Sequence, residues 1–143
     1  ERLRGARAAV EAHPGVTLEV IPTAERSVQA GIAAGGQLLG RARTKWPDGV
    51  FAANDSLAIG IMQAISSGSD IRIPEDIAVV GYDDIDFASS AAVPLSTVRR
   101  PREVFGSSAV DLVRDQAESS EPLPVRSIVI QPELIVRRSS QRV

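Results

Sequence analysis

Two short, almost wholly apolar runs limit the fold of this 143-residue chain more than any other feature. They cover residues 50–53 and 77–82. Runs of this length and composition are typical of strands that are buried on both faces of a parallel sheet. Between them, residues 56–66 carry apolar side chains at helical spacing. Strand, helix and strand in this order favour right-handed crossovers, so the sequence predicts a doubly wound α/β fold with a mainly parallel sheet.

Weaker patterns extend the alternation of helices and strands along the chain. Residues 16–21 alternate apolar and polar side chains and are rich in β-branched residues, and Pro14, Gly15 and Pro22 bound them, which predicts a strand. The other predicted helices cover residues 2–12, 27–42 and 102–117, and the other extended stretches cover residues 95–98, 128–130 and 134–136. A chain of this length is expected to hold one core, or one large piece of a core.

The composition excludes several kinds of site and partner. The formal net charge is -2, whereas a DNA-reading domain normally carries an excess of Lys and Arg on one face. Direct DNA binding by this chain is therefore not expected. The chain has no Cys and one His, which excludes a disulfide framework, a thiolate metal site and a zinc site built from several histidines. No metal or cofactor is predicted.

The chain has no sequence typical of a membrane span or a secretory signal. Its apolar runs are far shorter than the roughly 18 residues that a span needs, and no apolar segment follows the charged opening residues 1–4. We expect a soluble, cytoplasmic protein without a membrane partner. The chain starts without Met and directly with a helical pattern, so we expect it to be a fragment of a longer protein.

Polar residues follow both apolar strands. Asn54 and Asp55 come after the first strand. Asp83 and Asp84 come after the second. Ligands of open α/β sheets bind beyond the carboxyl ends of the strands, and carboxylates and carboxamides suit the hydroxyls of a sugar or a nucleoside. Alternatively, the first pair only caps a helix and the second pair only forms a turn.

A catalytic role for these carboxylates is not predicted. Paired carboxylates can act as general acid and base or hold Mg²⁺. The chain, however, has no convincing nucleophile, no G-x-x-x-x-G-K-[ST] motif and no G-x-S-x-G motif. A hydrolase is therefore the weaker interpretation.

Arg99, Arg100 and Arg102 follow the extended stretch 95–98. They could contact a phosphate. Three cations in an acidic chain are more often a solvated face, and the sequence favours that interpretation.

Five stretches together resemble the lactose-repressor/galactose-repressor (LacI/GalR) family of transcriptional regulators. They are R-L-R-G at 2–5, F-A-A-N-D-S-L-A-I-G at 51–60, I-P-E-D-I-A-V-V-G-Y-D-D at 73–84, P-L-S-T-V at 94–98 and P-E-L-I-V-R-R-S at 132–139. Their order and spacing match the second half of the family's sensor domain over essentially the whole chain. The resemblance implies a periplasmic-binding-protein-like sensor of two flavodoxin-like subdomains, preceded by a helix-turn-helix that reads operator DNA.

The resemblance also implies which residues form the site. In this family the effector lies between the two subdomains, and Arg2, Asn54 and Asp83 are the residues expected to touch it. Asp55 is expected mainly to cap the helix and to support the site. Asp84 is expected to have a supporting role.

Arg26 departs from the family pattern. The family commonly places an aromatic residue in this region to stack on the effector. We expect Arg26 to contact the ligand and to favour an acidic or phosphorylated compound over a plain sugar.

The resemblance further implies a division of the chain and a set of partners. Residues 1–98 and 125–143 are expected to form the carboxy-terminal subdomain, and residues 99–124 the crossover and a helix of the amino-terminal subdomain. The implied partners are a small-molecule effector, operator DNA through a helix-turn-helix outside this chain, and a second copy in a homodimer. The alternative is a secreted solute-binding protein of a transporter, which shares the fold.

Overall fold

The computed structural model describes residues 1–68, 70–119, 121 and 123–142. In these ranges the helices are α1 (Arg2–Glu11), α2 (Val28–Leu39), α3 (Asp55–Gly68), α4 (Asp86–Ser90) and α5 (Arg102–Glu118). The strands are β1 (Gly49–Phe51), β2 (Ala78–Asp83), β3 (Ser96–Arg99) and β4 (Glu133–Ile135). Single 3₁₀ turns cover Arg43–Lys45 and Arg138–Ser140.

The strands form one sheet in the order β1-β2-β3-β4. β1, β2 and β3 are parallel, with Val50 opposite Val79 and Tyr82 opposite Val98. β4 runs antiparallel to β3, with Leu134 opposite Val98. The carboxyl ends of the three parallel strands therefore lie along one edge, here called the carboxyl edge. The predicted α/β fold with a mainly parallel sheet is confirmed.

The hydrophobic core lies between this sheet and α3. Ile65 on α3, Val79 on β2 and Leu95 just before β3 are fully buried. Burial of each such side chain stabilises the fold by roughly 1.5–3 kcal/mol. α3 contacts β2 on one side and α2 on the other, which is why its sequence is apolar around most of its circumference.

Glycines let α2 and α3 approach each other closely. A Cβ at Gly60 would lie 2.1 Å from the carbonyl oxygen of Val28, and one at Gly31 would lie 2.3 Å from that of Leu57. Both distances are far below van der Waals contact. The helix predicted over residues 27–42 is thus present over a shorter range, and its small residues serve the helix crossing.

The strand predicted over residues 16–21 is wrong. This segment pairs with no strand within the described residues. Val16, Leu18 and Val20 are each about half exposed. Alternation of apolar side chains shows which face a strand would bury, but a strand forms only where a neighbouring backbone completes the ladder. The stretch 128–130 likewise stays outside the sheet.

Two helices project from the sheet and its core. Neither α1 nor α5 has a buried residue. α5 exposes apolar side chains that include Val104, Phe105, Val110 and Val113. No helix in the described part of the chain is long and apolar enough to cross a membrane.

The glycines of the α2–α3 crossing lead to a stability prediction. Gly60→Ala should lower the free energy of unfolding by about 1–3 kcal/mol or more, because its methyl group would meet backbone atoms that cannot move aside cheaply. The measurement is urea denaturation followed by circular dichroism.

The matched control is Gly36→Ala on the outer face of α2, where a Cβ would meet nothing within 4 Å. This variant should be unchanged or more stable by up to about 1 kcal/mol, because Ala favours a helix over Gly. Equal effects of the two substitutions would contradict the close approach of the helices.

Candidate functional site

The structure brings the ends of β1 and β2 together at the carboxyl edge, and Arg2 joins them. This α1 residue donates a hydrogen bond of 2.8 Å to the carbonyl oxygen of Ala53, two residues after β1. Its guanidinium carbon also lies 3.9 Å from the centroid of the Tyr82 ring on β2. A hydrogen bond and a cation–π contact therefore hold the Arg2 side chain in place.

Asp55 connects three parts of the fold from a fully buried position. Its Oδ1 accepts a hydrogen bond of 2.6 Å from the Thr97 hydroxyl on β3. Its Oδ2 accepts one of 2.9 Å from the backbone N–H of Ile85, after β2. The carboxylate sits so close to β2 that a Cβ at position 81 would be 2.2 Å from Oδ1, which explains Gly81. Asp55 thus ties the start of α3 to β2 and β3.

Burial raises the pKa of Asp55 above its ordinary value of 3.8. The hydrogen bonds from Thr97 and Ile85 oppose this shift, and the nearby charges of Asp83 and Asp84 add to it. A buried carboxylate beside two other carboxylates is costly, and its two short hydrogen bonds offset part of that cost.

The expectation that Asp55 mainly caps the helix is wrong. The cap is Asn54, whose Oδ1 accepts a hydrogen bond of 3.0 Å from the backbone N–H of Leu57. The Asp55 side chain points instead toward β3, where Thr97 supplies a buried donor. The sequence offers two cap residues side by side, and only the tertiary packing decides which of them turns inward.

Asp83 and Asp84 form a left-handed turn at the end of β2. Their φ angles are 110° and 51°, a region that residues other than glycine rarely adopt. Asp is among the residues that tolerate it best. The Ile85 N–H bond to Asp55 and a long contact of 3.4 Å from the Asp84 N–H to Thr97 Oγ1 hold the turn. We call residues 83–84 the acidic turn.

The two carboxylates of the acidic turn have different partners. Asp83 lies between Arg100, at 2.8 Å, and Arg2, at 3.5 Å. Asp84 lies between Arg99, at 2.6 Å, and Arg137, at 2.8 Å. Two arginines of the four come from the end of β3, so this part of the chain is bound to the acidic turn.

The environments of these carboxylates differ as well. The Asp84 side chain is 9% exposed, and that of Asp83 is 23% exposed. Burial alone would raise the pKa of Asp84, but hydrogen bonds from Arg137 and Arg99 hold it below its ordinary value. Asp84 is therefore an internal anion, whereas Asp83 reaches the surface of the carboxyl edge.

Asn54 and Arg26 meet through the backbone of Arg26. The Nδ2 of Asn54 donates a hydrogen bond of 3.0 Å to the carbonyl oxygen of Arg26. The Arg26 side chain is exposed at the same edge. The sequence-based alternative, in which Asn54 and Asp55 cap a helix and Asp83 and Asp84 form a turn, describes the local geometry of Asn54 and of the turn correctly. It is wrong for Asp55.

The sequence alone does not indicate that Arg99, Arg100 and Arg137 contact the acidic turn. Arg99 and Arg100, interpreted as a solvated face, instead pair with the acidic turn. Arg137 lies more than fifty residues from Asp84 in sequence and no local pattern connects them. The antiparallel pairing of β4 with β3 brings Arg137 to the site.

This arrangement suits a ligand with several hydroxyl groups. A partly exposed carboxylate accepts hydrogen bonds, and guanidinium groups donate them.

The sequence model of the periplasmic binding protein-like domain family matches residues 1–140. The chain belongs to this family. Its membership agrees with the parallel sheet and with the collection of polar groups at the carboxyl edge.

Known relatives of this periplasmic-binding-protein-like domain are LacI-family regulators. The HTH-type transcriptional regulator CelR of Thermobifida fusca is 36% identical over 141 residues, which are 97% of this chain and 40% of that protein. The solved transcriptional regulator CelR–cellobiose complex superposes with a TM-score of 0.82 at 35% identity, over 97% of this chain and 42% of that one. A LacI family transcriptional regulator from Lactobacillus casei with bound sucrose has a TM-score of 0.77 at 27% identity, over 96% of this chain and 50% of that one.

The resemblance to the LacI/GalR family is thereby confirmed. The chain spans 20 to 40% of the length of the curated relatives that it matches. It spans about half the length of most solved relatives.

The buried carboxylate leads to a pH prediction for Asp55→Asn. Because the pKa of Asp55 is raised, the folded state binds a proton at this group more readily than the unfolded chain does. The cost of burying its charge is absent below the ordinary pKa of 3.8 and grows as the pH rises toward the raised pKa. The stability of the variant relative to wild type should therefore increase with pH, as measured by urea denaturation between about pH 3 and pH 7.

Asp76→Asn is a control with the opposite sign. A hydrogen bond from the backbone N–H of Arg72 lowers the pKa of Asp76, so its contribution is present above 3.8 and is lost as the pH falls through the lowered pKa. This variant should lose stability relative to wild type as the pH rises. The same slope for both variants would contradict the assigned environments.

Proposed function

We propose that this chain is the effector-sensing domain of a bacterial LacI-family transcriptional regulator and binds a hydroxyl-rich ligand at the carboxyl edge. The observation that supports this most is the Asp83 carboxylate, which is partly exposed and flanked by guanidinium groups at the carboxyl edge. Arg2, Asn54, Asp83 and Arg26 are the proposed ligand contacts. No bond is made or broken in this function.

A sugar or a sugar derivative is the proposed ligand class. The similar solved regulators hold cellobiose and sucrose, which are neutral compounds rich in hydroxyls. Arg26 accepts a hydrogen bond from Asn54 through its backbone and has an exposed side chain, and this cation would favour an acidic or phosphorylated sugar. A binding test of this proposal therefore needs both neutral sugars and acidic or phosphorylated sugars.

Asp55 and Asp84 are proposed to support the site without touching the ligand. Both are well buried and have partners within the chain, Thr97 and Ile85 for the first and two arginines for the second. Their role is to hold the acidic turn in the left-handed geometry that presents Asp83.

The chain is proposed to span two subdomains. Residues 1–98 and 125–143 would form one of them, and residues 99–124 would be the crossover and a helix of the other, with positions 69, 120, 122 and 143 outside the described residues. The absence of buried residues from α5 supports this division, because its exposed Val104, Phe105 and Val113 then pack against the rest of the other subdomain.

The regulator as a whole is proposed to be a cytoplasmic homodimer that binds operator DNA through a helix-turn-helix outside this chain. Effector binding would change operator affinity by a coupling free energy of about 1 to 3 kcal/mol. A secreted solute-binding protein shares the fold, but the regulators among the matched relatives favour the first function. A helix-turn-helix in the complete gene product would support the function as a regulator. A signal peptide would instead support the function as a secreted solute-binding protein.

The test of the proposed site is ligand binding by the full-length protein and its Asp83→Asn variant. The ligands are cellobiose, sucrose, glucose, ribose and glucose 6-phosphate. At about 100 times its dissociation constant, a bound sugar should stabilise the wild type by roughly 2.7 kcal/mol in a thermal-shift assay, and the variant should lose most of this shift.

The matched control is Asp48→Asn, because Asp48 precedes β1 and thus lies at the opposite edge of the sheet. It should keep the full ligand-induced shift. Binding that is equally strong in both variants would refute the assignment of the site to the carboxyl edge.

A further inference from the structure

Tyr82 lies near the end of β2, on the face of the sheet opposite the core. Side chains alternate between the two faces of a strand, and a Cβ at Gly81 would meet the buried side chains of Asp55 and Leu95. The side chain of Tyr82 therefore lies on the other face, where it is half-buried. The residue directly precedes the acidic turn, so its ring stands beside the proposed ligand contacts.

The Arg2 side chain has few contacts besides this ring. α1 has no buried residue, so apolar packing does not fix the helix that carries Arg2. The guanidinium donates a hydrogen bond of 2.8 Å to the Ala53 carbonyl oxygen, and its Nη2 lies 3.5 Å from Asp83, which is longer than a good hydrogen bond. Its central carbon lies 3.9 Å from the centroid of the Tyr82 ring. Among the described residues, the ring thus supplies one of the two close contacts of this guanidinium.

The hydroxyl of Tyr82 is not part of the contact with Arg2. The guanidinium lies over the face of the ring, and a phenylalanine ring offers the same face. The hydroxyl makes no hydrogen bond with any residue that the structure describes. Substitutions can therefore separate the ring from the hydroxyl.

We propose that Tyr82 is a positioning residue of the ligand site, whose ring fixes the Arg2 guanidinium where it meets the ligand. An arginine side chain has many rotamers, and ordering it when the ligand binds would lower the affinity. The ring orders this side chain during folding instead. The proposal rests on the proposed function, because Arg2 is one of the proposed ligand contacts.

The expected effect on affinity follows from the ordering of one long side chain. Immobilising such a side chain at a binding site lowers the affinity about two- to tenfold. Tyr82→Leu keeps an apolar side chain on this face of β2 but removes the ring, so it should bind a sugar about two- to tenfold more weakly. Tyr82→Phe keeps the ring and should restore the affinity of wild type.

The test is calorimetric titration of the full-length protein with cellobiose and with glucose 6-phosphate. The proteins are wild type, Tyr82→Leu, Tyr82→Phe and the matched control Val80→Ala, which removes apolar surface from the same face of β2 two residues earlier. Only Tyr82→Leu should bind more weakly. Unchanged binding by Tyr82→Leu would overturn the proposal. An equal loss in Tyr82→Phe would also overturn it, because the hydroxyl would then be the group that matters.

The Arg2→Met background distinguishes positioning from a general effect on β2. Without the guanidinium the ring has nothing to position, so Tyr82→Leu should not weaken sugar binding further in this background. A loss of the same size in both backgrounds would show that the substitution acts through the strand or the acidic turn, and would refute the role of Tyr82 in positioning Arg2.

NMR spectroscopy tests the contact without a sugar. The ring current of Tyr82 should displace the side-chain Nε–H resonance of Arg2, which is assigned by its absence from Arg2→Met. The displacement should persist in Tyr82→Phe and disappear in Tyr82→Leu, and an unchanged resonance in Tyr82→Leu would contradict the proposal. If wild type binds no sugar of the thermal-shift series, the proposed function fails, and the NMR comparison still decides whether the ring holds Arg2.

Discussion

The carboxyl edge depends on one buried carboxylate. Asp55 begins α3, yet its two oxygens accept hydrogen bonds from β3 and from the residue after the acidic turn. The charge is expensive to bury, and the hydrogen bonds from Thr97 and Ile85 offset part of the cost. Gly81 is needed because any side chain there would collide with the carboxylate. A single acidic residue thus sets the spacing of three elements and the shape of the turn between two of them.

The left-handed acidic turn divides two adjacent and chemically identical residues into separate roles. Asp84 lies inward, where Arg99 and Arg137 neutralise it. Asp83 is partly exposed, and its partners Arg2 and Arg100 are partly exposed as well. Backbone dihedral angles, and not residue type, produce this difference. The carboxyl edge thus combines one internal, neutralised carboxylate with one that is partly exposed.

The sequence predicted the parts of the fold that depend on local pattern. Apolar runs identified β1 and β2, and helical spacing identified α3, because burial on both faces of a parallel strand leaves a continuous apolar signal. It also placed Asn54, Asp83 and their neighbours at the carboxyl edge, since polar residues directly followed both runs. The prediction was wrong for residues 16–21, where the alternating pattern is present but no partner strand lies beside it. It also misassigned Asp55, because the sequence does not distinguish an Asp that caps a helix from one whose carboxylate points into the fold.

The sequence by itself determined the fold class, the family and the edge of the sheet at which chemistry is concentrated, because each follows from residue type and short-range spacing. Tertiary structure alone decided which charges meet. Arg2, Arg100 and Arg137 come from a helix, a crossover and a C-terminal segment, and they converge on two neighbouring aspartates only after the strands are paired. Ion pairing depends on the distance between charges in space. It produces no regular spacing of residues along the chain, so the sequence pattern does not predict which charges will pair.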